Sequence, residues 1–209
     1  MADRKAGVVL AMKPADWKKA YRKGVPHWAK DREPTAFAAD FIGVLSDSKA
    51  ASVLEVGCGN GRDSILFAQN DIEVTAVDIA PEAIEMGKAA AEKAGVEVDF
   101  RVAEATKLPF DDGSFDAYYS LSVLHSTDIK KSIPEAFRVL ASGGVAFIYL
   151  YGNTMTEGGK TKDVIELDDY LALLRDTGFA VDDFYCEEED DYDDYGEKHR
   201  LFVALLSKK

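Results

Sequence analysis

Seven residues, Glu55-Val56-Gly57-Cys58-Gly59-Asn60-Gly61, constrain this chain more than any others. They follow a short apolar run, Ala51 to Val56, and lead into a helical pattern from Asp63 to Gln69, where Ile65, Leu66 and Ala68 supply an apolar face. The glycines let the chain turn tightly and let a ligand approach the backbone with no Cβ in between. The helix that follows offers unpaired N–H groups and a partial positive end. A turn of this kind, between a strand and a helix, is the ligand-facing corner of a parallel α/β sheet.

The rest of the chain continues the alternation. Glu73 to Val77 is a second strand ended by Asp78, and a helix runs from Pro81 to its stop at Gly95. Val98 to Val102, Phe115 to Ser120 and Val145 to Leu150 read as further strands, with turn chemistry at Asp111-Asp112-Gly113-Ser114 and at Ser142-Gly143-Gly144. Pro134 to Leu140 and Leu167 to Arg175 read as helices, the second stopped by Gly178. Phe179 to Tyr185 and Arg200 to Leu206 are late strands with no helix between them, so they pair antiparallel at a sheet edge. The pattern predicts an α/β fold: a doubly wound seven-stranded sheet, mostly parallel with an antiparallel C-terminal strand. Residues 1–49, with helical patterns around Trp17 to Tyr21 and Phe37 to Leu45, form an N-terminal helical arm or lid over the C-terminal edge of the sheet. Residues 50–209 form the domain it serves, and the arm is not an independent domain.

Composition narrows the function. Two cysteines, Cys58 and Cys186, cannot build a disulfide framework or a four-ligand zinc site. No apolar run approaches the ~20 residues of a membrane span. No export signal is read at the N-terminus, so the cytoplasm is the expected compartment. The net charge is -13, and residues 182 to 197 hold ten acids with no Lys or Arg. Residues 1 to 32 hold nine Lys and Arg against three Asp. An acidic chain with one short basic arm is poorly suited to nucleic acid.

The turn's ligand can be narrowed further. Asp78 lies 17 residues past Gly61 at the end of the second strand, where a carboxylate can accept hydrogen bonds from both hydroxyls of a ribose. A dinucleotide fingerprint would need its third glycine where this chain has Arg62, and Glu55 would repel a pyrophosphate. A ligand with an ammonium group and a ribose suits both acids, and S-adenosylmethionine has both groups.

These motifs resemble the class I S-adenosylmethionine-dependent methyltransferases from about residue 50 to the C-terminus. Glu55 to Gly61 matches the family's first motif, and Asp78 followed by Ile79 matches its ribose-binding acid. Glu104-Ala105 with Leu108-Pro109-Phe110 resembles the adenine-side loop. Phe115-Asp116 and Ser120 to His125 resemble the fourth motif, and Glu135 to Leu140 with Gly143-Gly144 the helix and turn before the fifth strand. The resemblance implies a Rossmann-like sheet and S-adenosylmethionine as cofactor. It implies contacts from Glu55, Gly57, Cys58, Gly59, Asn60, Gly61, Asp78, Ile79, Glu104, Ala105 and Ser120, with Trp17 and Trp28 stacking from the arm. Gly61-Arg62-Asp63-Ser64 and the arm's Trp17, Tyr21, Gly24, Pro26, Trp28 and Pro34 are similar, more narrowly, to the thiopurine and tellurite-resistance methyltransferases.

Methyl transfer from a sulfonium is an in-line displacement from an activated donor, so the protein mainly aligns the nucleophile and excludes water. A soft, ionised nucleophile needs no base, whereas an oxygen or neutral nitrogen acceptor can use one. His125, just past the fourth strand, Tyr151, at the end of the fifth, and Tyr21, on the arm, are the candidate catalytic residues. Helix capping or packing is the competing role for His125, and core packing for the aromatics. The expected acceptor is a small molecule such as a thiol, chalcogen or other soft nucleophile. A macromolecular acceptor and a non-catalytic cofactor-binding role remain the alternatives. No Asn-Pro-Pro-Tyr or Asp-Pro-Pro-Tyr follows the fourth strand, which argues against amino groups of bases as acceptors.

Overall fold

Strand β1 (Ser52–Val56) buries its last four residues in succession, and β2 (Glu73–Asp78) buries Val74, Thr75, Ala76 and Val77. Unbroken burial of this kind requires a parallel strand covered on both faces. The computed structural model describes residues 14–24, 30–155, 161–189 and 199–209. With β3 (Asp99–Val102), β4 (Phe115–Leu121), β5 (Leu140–Tyr151), β8 (Phe179–Glu189) and β9 (His199–Lys208), these strands form one sheet of order β3-β2-β1-β4-β5-β9-β8. Strands β1 to β5 pair in parallel, and β9 runs antiparallel to both its neighbours. This is the Rossmann-like arrangement expected. The strand order reverses between β1 and β4, and that switch point opens a crevice at their carboxyl ends.

Helices cover both faces. On one side α2 (Ala36–Ser48), α3 (Arg62–Gln69) and α4 (Pro81–Ala94) enclose a core containing Phe41, Phe67, Tyr119 and Phe147. Tyr119 stacks on Phe147 with centroids 5.1 Å apart, and Phe41 lies 5.5 Å from Tyr119. On the other side α5 (Ile129–Val139) and α6 (Leu167–Thr177) bury Ile133, Ala136, Tyr170 and Leu174 against Tyr118 and Phe202. The short helix α1 (Pro14–Arg22) lies against α4, with Arg22 Nε 3.0 Å from Glu82 Oε1.

Four details differ from the sequence expectation. The boundary at residue 50 cuts through a packed core: Ala38 and Leu45 on α2 are fully buried and Phe41 nearly so, making α2 a layer of the sheet. Among the described residues before it, 30–35 form a strap with no helix or strand. Helix α5 begins at Ile129, five residues before Pro134, and carries that proline inside it. Proline lacks an N–H, so at the sixth position of α5 it removes the bond that would go to Lys130 O, a cost the helix meets by burying Ile129, Ile133, Ala136 and Val139. Ser142-Gly143-Gly144 is a register shift inside β5, where pairing jumps from Phe115–Leu140 to Ala117–Val145. A small hairpin of β6 (Asn153–Met155) and β7 (Thr161–Asp163) follows β5 and has no counterpart in the sequence reading.

Candidate functional site

The carboxyl ends of β1, β2, β4 and β5 converge on the glycine turn. The N–H groups of Gly57 and Cys58 both donate to Val77 O, at 2.7 and 3.0 Å, and so tie the turn to β2. Gly57 has φ of +81°, and a Cβ there would run into the methyl groups of Val123, just past β4. The first favours glycine, and the second leaves no room for a Cβ. Ser122 carries φ of +60° and donates its N–H to Tyr149 O at 2.9 Å. A left-handed non-glycine residue costs about 1–2 kcal/mol. This kink swings Val123 onto the turn and sets His125 on a single 3-10 turn, Leu124–Ser126.

Asp78 and Gly59 are bonded to each other. Gly59 N–H donates to Asp78 Oδ2 at 3.0 Å, and Ala80 N–H donates to Oδ1 at 2.9 Å. Each carboxylate oxygen thus takes a backbone donor and keeps further lone pairs able to accept. Burial raises the proton affinity of Asp78, and the N–H groups of Ala80, Gly59 and Ile79 oppose that rise. Ile79 is half-buried beside it. Val102, paired with Asp78 across the sheet and 50% exposed, presents apolar surface next to the Asp78 carboxyl. Sequence reading missed it because an exposed strand end has no local signal. Ala105 is buried, and Glu104 is exposed and accepts the Thr106 hydroxyl at 2.8 Å.

Beneath the turn, Glu55 is buried and accepts the hydroxyl of Ser64 in a short contact. Burial first, then the charge of Asp63, pushes its carboxyl well above the ordinary range. The Cys58 thiol is likewise pushed up by burial and by Glu55 and Asp78, so it is a packing group and no nucleophile. Asn60 donates its side-chain amide to Asp31 O at 2.7 Å, and Arg62 pairs with Asp31 at 3.4 Å. Asp63 accepts the N–H and hydroxyl of Thr35 at 2.8 and 2.9 Å, and the Tyr119 hydroxyl reaches it at 3.4 Å. Residues 31 to 35 are therefore pinned to the turn and the first turn of α3. Thr35 also caps α2, its side chain accepting from Ala38 N.

Tyr21 is buried against Ala80 and Ala83, and its hydroxyl stands over Gly59. Trp17, one turn earlier on α1, is partly buried, and Trp28 lies outside the described residues. His125 and Tyr151 meet edge to face with ring centroids 5.2 Å apart. His125 is buried, burial pushes its imidazole down to about 4, and its Nδ1 has no hydrogen-bond partner among the described residues. Ser120 departs from its expected role. It is fully buried, and its hydroxyl donates to Val56 O at 3.2 Å, so its side chain braces β4 against β1. Among the described residues no His, Cys, Asp and Glu cluster could hold a metal, and no helix is long and apolar enough to cross a membrane.

Known proteins resemble this chain in sequence and fold. Residues 54–148 match the family described as a methyltransferase domain. The chain is 35% identical over 153 residues to the 27-O-demethylrifamycin SV methyltransferase of Amycolatopsis mediterranei (strain S699), an alignment covering 65% of this chain and 56% of that enzyme. It is 31% identical over 156 residues to the O-methyltransferase rstn1 of Aspergillus nomiae, covering 67% of this chain and 69% of that protein. A solved S-adenosylmethionine-dependent methyltransferase from Methanosarcina mazei superposes with a TM-score of 0.59 at 26% identity, over 75% of this chain and 92% of that one. The chain spans little more than half the length of the rifamycin enzyme.

Proposed function

This chain belongs to the class I S-adenosylmethionine-dependent methyltransferases, and from that premise we propose that it transfers a methyl group to an oxygen of a small-molecule acceptor. One observation carries the reading: the Gly59 N–H, the Asp78 carboxylate and the Tyr21 hydroxyl meet at one corner of the crevice. A backbone without side chains, a carboxylate and an aromatic roof suit a nucleoside with a cationic tail.

The residues present fit the donor. Asp78 would take the ribose hydroxyls, Val102 and Ala105 would flank the adenine, and Glu55 beneath the turn would face the ammonium. When bound, S-adenosylmethionine supplies an activated methyl group on a sulfonium. The protein's share of the work is binding, alignment and exclusion of water. Tyr21 and the residues pinned at 31 to 35 close the crevice from above. His125 is neutral at physiological pH, and its Nδ1, which has no partner among the described residues and no exposed surface, would take a hydrogen bond from an acceptor hydroxyl once the ring turns toward the crevice. Attack through oxygen makes that hydroxyl strongly acidic, so an imidazole of low basicity suffices to take its proton. Tyr151 holds the imidazole edge-on.

Two relatives named for O-methylation favour oxygen over the thiol or chalcogen suggested by the thiopurine and tellurite-resistance likeness. That likeness rests on Gly61 to Ser64 and the arm. The test is a two-stage assay. Calorimetry with S-adenosylmethionine and S-adenosylhomocysteine measures donor binding, and transfer of radiolabelled methyl to matched panels of phenols, alcohols, amines and thiols identifies the acceptor. Absence of donor binding would end the methyltransferase reading, and labelling of thiols alone would restore the soft-nucleophile one.

A further inference from the structure

Three carboxylates meet around the glycine turn: Glu55 from β1, Asp63 from α3 and Asp78 from β2. Glu55 is 5% exposed and Asp63 3%. Their neutralisation is uneven. Asp78 is satisfied by the N–H groups of Gly59 and Ala80, and Asp63 by Thr35 and Tyr119. Glu55 takes the Ser64 hydroxyl. Among the described residues, the other titratable groups facing it are the Cys58 thiol on the turn, Arg62 on α3 and the Tyr119 phenol on β4. Arg62 is the cation whose charge reaches Glu55, and its guanidinium is already paired with Asp31.

A buried carboxylate with a neutral donor and two acids beside it is far more stable as the acid than as the anion. The ordering of effects on Glu55, burial first and Asp63 second, agrees with that geometry. An arriving ammonium changes the balance. If Glu55 gives up its proton as the ammonium seats, a neutral acid is replaced by an ion pair of zero net charge, and the low-dielectric site gains no uncompensated charge. We propose that Glu55 holds a proton in the ligand-free protein and releases it to solvent when the ammonium of the donor's amino-acid tail binds, so that this ammonium is recognised by proton exchange. The O–H bond of Glu55 breaks, its electron pair stays on the carboxylate, and the proton passes to the buffer. This inference rests on the donor reading above.

Two consequences follow from linkage. Affinity for a ligand bearing the ammonium falls by about tenfold for each pH unit below the Glu55 titration and levels off above it. A nucleoside lacking the ammonium, such as 5′-methylthioadenosine, displaces no proton from Glu55 and shows no such slope. The experiment is calorimetric titration of the full chain with S-adenosylhomocysteine from about pH 5 to 8, in buffers of small and large ionisation enthalpy. The expected result is buffer-dependent heat approaching one proton released per ligand on the acid side, and none with 5′-methylthioadenosine. Glu55→Gln should abolish the release and flatten the pH dependence. Ser64→Ala, which removes the hydroxyl that favours the anion, should move the release to higher pH. Should Glu55→Gln fail to fold, the wild-type contrast between the two ligands decides. Identical heats in all buffers, or release that persists in Glu55→Gln, overturns the proposal. No binding of S-adenosylhomocysteine at any pH overturns the donor reading itself, and this inference with it.

Discussion

Gly59 lies directly under the hydroxyl of Tyr21: a Cβ built on Gly59, at its φ of +54°, would sit 3.2 Å from that oxygen. The turn after β1 and the helix α1, separated by more than thirty residues of chain, therefore meet at one corner of the crevice, which the proposed function gives to the donor. Gly59→Ala should cost about 1–2 kcal/mol of folding stability from the left-handed backbone alone. It should also weaken S-adenosylmethionine binding. Tyr21→Phe removes the hydroxyl, so a double-mutant cycle on donor affinity should show coupling of roughly 0.5–3 kcal/mol. Strictly additive effects would mean that the two residues do not share the donor's space.

Asp78 holds the turn through the Gly59 and Ala80 N–H groups and, in the proposed function, takes the ribose hydroxyls. Asp78→Ala should weaken donor binding by about 1–3 kcal/mol, the range for lost hydrogen bonds to a charged group. Asp78→Asn keeps an acceptor oxygen and should lose less. Calorimetric titration of both variants is decisive, and equal affinity in wild type and Asp78→Ala would remove the ribose assignment.

His125 makes a prediction in pH as well as in rate. Its folded-state value of about 4 lies below the ordinary 6.5, so folding favours the neutral ring. The associated stabilisation is complete above about pH 6.5 and is lost as pH falls through about 4, a change of roughly 3 kcal/mol. In urea melts, His125→Gln should lack this part of the acid sensitivity that the wild type shows. Turnover on a hydroxyl acceptor should fall about 10²- to 10⁴-fold in the same variant while donor affinity holds. A variant with wild-type turnover would reduce His125 to a packing residue.

The strap is anchored at its base by Asp63. Thr35→Val removes a hydroxyl bonded both to Asp63 and, as an N-cap, to Ala38 N–H. A cost of about 1–2 kcal/mol is expected in denaturant melts. Deleting residues 1–30 removes Tyr21 and leaves the Thr35–Asp63 anchor and α2 in place. That truncated chain should fold, bind the donor more weakly and lose transfer to small acceptors, since the crevice would stay open to water. Full turnover after truncation would show the arm to be passive.

Much of the molecule is legible before folding. The parallel strands, the helix stops at Gly95 and Gly178 and the positive-φ glycines of the turn are local properties, set by apolar periodicity and by what a Cβ forbids. Asp78 is legible for the same reason, because the end of a strand beside a glycine turn is a position along the chain. The start of α5 was not, since Pro134 reads as a helix boundary while the preceding turn is held by burial of Ile129 and Ser132.

The sequence by itself determined the doubly wound class, the turn from Glu55 to Gly61 and the kind of ligand that turn admits, because each depends on residues adjacent in the chain. Tertiary structure decided what those residues face. It slid β9 between β5 and β8, turned the Ser120 hydroxyl inward to Val56, and buried His125 against Tyr151. It also brought Thr35 and Tyr119 onto Asp63, and placed Asp63 and Asp78 around Glu55. Periodicity reports that a face is buried and not against what, so charge and proton affinity at this site arise only once distant segments share one low-dielectric space.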